Sequence, residues 1–60
     1  MIKDLLTTYS KLDNVTIIFY GKKQFQIYHD GEYSWLYPLS STTKQMIHSL
    51  GFKTIKAKKV

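Results

Sequence analysis

The sequence predicts an α+β domain: a three-stranded antiparallel meander with two helices packed on one face, in the order α-β-β-β-α. The residues after Phe52 are read as a short C-terminal edge strand or as a basic tail. Three observations carry this reading. Apolar residues recur at helical spacing near the N-terminus and again after residue 40. Between these segments lie runs of β-branched and aromatic residues of strand length. Gly21-Lys22-Lys23 and Asp30-Gly31 separate the runs with turn chemistry.

Ile2, Leu5, Leu6, Tyr9 and Leu12 form one stripe, so a helix is expected from Ile2 to Leu12, stopped near Asp13-Asn14. Asn tolerates the left-handed conformation that ends helices. Val15 to Tyr20 reads as the first strand, and Gln24 to His29, which alternates polar and apolar residues, as the second. Asp30-Gly31 predicts a type I′ hairpin, which needs positive φ at both central positions. Glu32 to Tyr37 follows as a third strand, stopped by Pro38. Thr42 with Gln45 three residues on fits a capping box for a second helix. That helix buries Met46, Ile47 and Leu50, and Gly51-Phe52 fits a Schellman stop.

Sixty residues allow one domain, taken as residues 1–55, with residues 56–60 as a basic end. A chain this short buries only about 60% of its unfolded surface, so its core is thin. It holds no cysteine, so neither a disulfide nor a cysteine zinc site supports it. The formal net charge is +5, and all nine cations are lysine. Such a surface favours anionic partners. Without arginine it lacks the bidentate fork that reads guanine and clamps phosphate. The same charge also serves solubility. The apolar runs are too short to span a bilayer, and Met1 to Leu6 lacks the long apolar region of a signal peptide. A cytoplasmic protein without a membrane partner is expected.

The hairpin registers predict two unlike faces. With a two-residue second turn, Tyr28 meets Tyr33, Gln26 meets Trp35 and Phe25 meets Leu36. Phe25, Ile27 and Leu36 then share one face. A three-residue first loop adds Val15, Ile17 and Phe19 to it. A two-residue Gly21-Lys22 loop would flip the first strand. The three-residue loop is preferred because it separates apolar from amphipathic residues. The opposite face carries Tyr20, Tyr28, Tyr33, Trp35 and Tyr37 with two glutamines. Such rings stack on bases and anchor protein interfaces. They also serve as cross-strand packing or as a homodimer face.

No constellation supports catalysis, and no cofactor or metal is expected. His29, Asp30 and Glu32 cluster at a turn, where a solvated ion pair explains them without a further ligand. His48 reads as a surface histidine one turn beyond Lys44. Ser40 to Thr43 offers hydroxyls, but no base and acid accompany them, so they read as caps. There is no P-loop, dinucleotide loop or zinc-peptidase motif.

The α-β-β-β-α order over residues 2–51 resembles that of the double-stranded-RNA-binding domain. That family carries a lysine-rich motif at the start of its second helix, where this chain reads Ser41-Thr42-Thr43-Lys44-Gln45. With one lysine there, no residue roles are carried over. The size and lysine-only charge are also similar to those of small accessory proteins of phages and mobile elements. The leading expectation is a non-catalytic nucleic-acid module using Lys22, Lys23, Lys44, Lys53, Lys56, Lys58 and Lys59. The alternative is a protein-interaction module docking through the Tyr/Trp face.

Overall fold

A computed structural model describes residues 2–57. The order is α1 (Ile2–Ser10), β1 (Val15–Tyr20), β2 (Gln24–His29), β3 (Glu32–Tyr33), β4 (Tyr37–Pro38), α2 (Ser41–Ser49) and β5 (Lys53–Lys56). The expected α+β class holds, with a mixed sheet of five strands in place of a three-stranded meander. The strands order as β3-β2-β1-β5, and β4 also pairs with β2. β5 runs parallel to β1, the other pairs antiparallel. β1 is therefore a central strand.

The first hairpin takes the three-residue loop, since Tyr20 pairs with Gln24 and Phe19 with Phe25. Ile17 and Ile27 pair likewise, so the inward face of both strands is apolar. Leu6 of α1 and Ile47 of α2 meet Val15, Ile17, Phe19, Phe25 and Ile27 in one cluster. Both helices thus cover the same face. The second turn has φ of 51° at Asp30 and 83° at Gly31, as a type I′ turn requires.

Helix boundaries follow local hydrogen-bonding chemistry. α1 ends at Ser10, short of Leu12, and Asn14 at φ 60° turns the chain into β1. Leu12, expected in the stripe, is exposed. α2 begins earlier than the Thr42 cap anticipated. Its N-cap is Ser40, whose Oγ accepts the Thr43 N–H at 3.1 Å. Ser40 Oγ also lies 3.0 Å from Thr43 Oγ1. Thr43 is thereby a satisfied polar residue inside the buried stripe, with Ile47 one turn on. Leu50, expected in that stripe, is the exposed C-cap. The stop is a Schellman motif: Gly51 N–H donates to His48 C=O and Phe52 N–H to Ile47 C=O.

The third strand departs from expectation. Tyr28 pairs with Tyr33 and His29 with Glu32, but Phe25 pairs with Tyr37 and Gln24 with Pro38. One extra residue has entered between the two stretches. Ser34 N–H still donates to Ile27 C=O at 2.8 Å, so Trp35 and Leu36 together oppose Gln26. This is a β-bulge, and it exchanges the faces of all residues beyond it. Leu36, expected in the core, is exposed, and Tyr37, expected on the open face, packs against the core. The Phe25 and Tyr37 rings lie 5.6 Å apart.

β5 is the expected edge strand, paired with β1 alone, but it is longer than the boundary at residue 55 implies. It extends through Lys56, and Ala57 N–H donates to Phe19 C=O at 2.9 Å. Its register places Ile55 beside Ile18 and Thr54 beside Ile17. The parallel register puts Ile55 on the face without helices. No helix among the described residues is long and apolar enough to cross a membrane.

Candidate functional site

The open face is built column by column. β5 contributes Lys53 and Ile55, and β1 contributes Thr16, Ile18 and Tyr20. β2 contributes Tyr28, Gln26 and Gln24, in register with those three β1 residues. Tyr33 follows opposite Tyr28, and the bulge adds Trp35 and Leu36 opposite Gln26. Of the expected aromatic residues, Tyr20, Tyr28, Tyr33 and Trp35 are therefore brought together. Tyr37 is not. Leu36 and Ile55 join the face unforeseen. A count of alternation through an unbroken third strand could not find Leu36. Ile55 depended on a parallel register that no local signal specifies.

A polar network holds this surface. The Tyr20 hydroxyl donates to Gln26 Oε1 at 2.7 Å. Gln26 Nε2 donates to Ser34 C=O at 2.9 Å. Ser34 Oγ accepts the Ile27 N–H at 2.9 Å and donates to Trp35 C=O at 2.9 Å. A serine hydroxyl thus replaces the backbone partner that the bulge removes from Ile27. Gln26 of β2 thus ties β1 to the bulge segment between β3 and β4. Tyr28 and Tyr33 rings lie 4.8 Å apart, an ordinary cross-strand aromatic pair. Trp35 is 82% exposed and Tyr33 63%, whereas Ile18 is buried between its neighbours. By register, none of the four side-chain carboxylates stands on this face. Asp4 lies in α1, Asp13 before β1, Asp30 in the turn, and Glu32 opposite His29 on the helix side.

The charges are unevenly placed along the strands. One end of the sheet carries the first hairpin, with Lys22 and Lys23 exposed at its tip. β5 ends there at Lys56, opposite Phe19. α2 starts there too, because Leu39 N–H donates to Lys23 C=O at 2.8 Å, and Lys44 lies in its first half. The C-terminal ends of both helices meet at the other end, where Ser10, Leu12, Leu50 and Gly51 line a shared open depression. Lys3 in the first turn of α1 therefore also lies toward the first hairpin. That end holds Lys3, Lys22, Lys23, Lys44 and Lys56 against Asp4 alone. The other end holds Lys11 and Lys53 against Asp13, Asp30 and Glu32. Both helix N-termini, the positive ends of the helix dipoles, point to the lysine-rich end. Lys58 and Lys59, also expected to contribute, lie outside the described residues.

The remaining candidates resolve locally. His29 and Glu32 are opposite each other as expected, and the His29 ring packs edge-on against Tyr9 at 6.1 Å. Among the described residues no three His, Asp or Glu side chains converge as metal ligands would. His48 is exposed, with its ring 6.4 Å from that of Phe19. The depression of about 500 Å³ at the α1–β1 junction has Asp13 and Lys53 as its only charged lining residues. No family model, no curated protein and no solved structure matches this chain.

Proposed function

We propose that the chain is a small non-catalytic binding module that contacts nucleic acid through its lysine-rich end. The observation that carries this reading is the charge separation along the strands. Five lysines and two helix N-termini gather at the first-hairpin end, and three of the four carboxylates sit at the opposite end. Lysines spread only for solubility would have no reason to segregate. Lys44 is also placed against the dipole of its own helix, whose first turn holds no acidic residue. An anion at that end would relieve both penalties. The chain has no arginine, so the binding is sequence-tolerant, with lysines acting as point charges on phosphates.

The test is fluorescence anisotropy of labelled DNA and RNA across a salt series. Binding should weaken steeply as salt rises, because each lysine–phosphate contact releases condensed counterions. Binding that stays undetectable at low salt would remove the reading. In that case the exposed Trp35, Leu36 and Tyr33 would be left as a surface for a protein partner.

A further inference from the structure

We infer that the open sheet face is a stacking platform for single-stranded nucleic acid, with Trp35 as its principal ring. This deepens the nucleic-acid reading and rests on it. Three observations converge.

The first is how Trp35 is held. A bulge costs backbone pairing, and this one is stabilised by Ser34 Oγ, Gln26 and Tyr20 through four hydrogen bonds of 2.7–2.9 Å. The network fixes the Trp35 carbonyl and backbone while the side chain remains 82% exposed. Bulges re-aim side chains, and leaving an indole in water forgoes the burial it would otherwise contribute. Packing of the fold does not account for that placement.

The second is the chemistry around it. Tyr20, Tyr28 and Tyr33 share the face with Gln24, whose exposed amide suits base edges, while the Gln26 amide is engaged in the network that holds the bulge. Aromatic faces accept any base, which fits a surface without arginine. Base faces are available only in a single strand; in a duplex they are stacked on each other.

The third is charge complementarity, which selects the occupant. The face holds Lys53 at one end, the Lys22-Lys23 tip lies at the other, and no carboxylate stands between them. A second copy of the chain would bring the same net charge of +5 against it. A phosphodiester strand laid along β1 and β2 would place its bases on the rings and run its phosphates toward the Lys22-Lys23 tip at the lysine-rich end.

Trp35 is the only tryptophan, so the protein reports on this face directly. The experiment titrates the protein with an oligothymidine single strand, a DNA duplex of equal length, and heparin, a polyanion without bases. The single strand should quench Trp35 emission, and heparin should bind in low salt without quenching. Trp35→Ala should weaken single-strand binding about five- to 150-fold, the range of one lost stacking contact. It should leave heparin binding unchanged. Trp35→Phe, which keeps a ring, should restore most of the affinity. Melting curves of each variant establish that the fold is retained. If the duplex binds as tightly as the single strand and Trp35→Ala binds like wild type, the platform is overturned while the lysine reading stands. If none of the nucleic acids binds at low salt, both fail.

Discussion

Tyr37 lies 5.6 Å from Phe25, ring to ring, on the helix side of the sheet, although Trp35 only two residues earlier is on the side without helices. In an unbroken strand these two residues would share a face. The single inserted residue of the bulge separates them into one structural and one exposed aromatic. Their substitutions should therefore differ sharply. Tyr37→Ala should cost about 2 kcal/mol, somewhat below the loss for a fully buried ring. Trp35→Ala should change stability by less than about 0.5 kcal/mol, as surface substitutions do. Urea denaturation of the two variants checks both; equal losses would mean that Trp35 is a packing residue.

Ser34→Ala removes the hydroxyl that accepts the Ile27 N–H and donates to the Trp35 carbonyl. A part-buried N–H would lose its partner, at about 1–2 kcal/mol. The tryptophan should also become more mobile. Time-resolved anisotropy of Trp35 should reveal a faster local motion in the variant. An unchanged decay would show that the hydroxyl does not restrain the bulge.

The second helix offers a test of its cap. Ser40→Ala should destabilise by about 1 kcal/mol, because Ser40 Oγ satisfies the Thr43 N–H. Thr42→Ala should cost less than about 0.5 kcal/mol, since Thr42 is exposed and does not hold the cap. Thermal melts of the pair decide which residue begins the helix.

Charge reversal at the first-hairpin tip should act on binding alone. Lys22→Glu with Lys23→Glu should make the slope of log affinity against log salt shallower by about 1.4–1.8, if each lysine engages one phosphate. Lys11→Glu, at the opposite end, should leave that slope unchanged. Equal effects from both ends would show that only net charge matters.

Truncation after Ile55 removes Lys56 from β5 and the bond from Ala57 N–H to Phe19 C=O. The loss should be about 1 kcal/mol for that hydrogen bond alone. An unchanged melting temperature would show that the last residue of β5 contributes nothing to the sheet.

Much of this architecture is legible in the sequence. The Asp30-Gly31 turn and the Gly51-Phe52 stop were legible because each requires positive φ, which few residues tolerate. The first-hairpin register was legible because only one loop length kept Ile17 and Phe19 with Phe25 and Ile27. The bulge was not. It contains no glycine, and its stabilising partner is a serine hydroxyl whose role depends on the opposite strand. The Ser40 cap was hidden among four consecutive hydroxyl residues, each chemically able to cap. β5 was recognisable as strand-like, but its pairing is long-range, so neither its direction nor the face of Ile55 could follow from spacing. Alternation alone thus places Tyr20, Tyr28 and Tyr33 together on the open face, whereas the bulge turns Tyr37 to the helix side.

The parallel pairing of β5 with β1 has a consequence for synthesis. β1 carries the run Val15-Thr16-Ile17-Ile18-Phe19-Tyr20, and one of its hydrogen-bonding edges stays vacant until residues 53–56 have been made. Until then a nascent chain offers a neighbouring ribosome's product an apolar strand with free amides, the arrangement that templates intermolecular pairing. Tertiary closure is thus a late event along the chain. A chain ending shortly after Gly51 would lack the strand that covers this edge of β1.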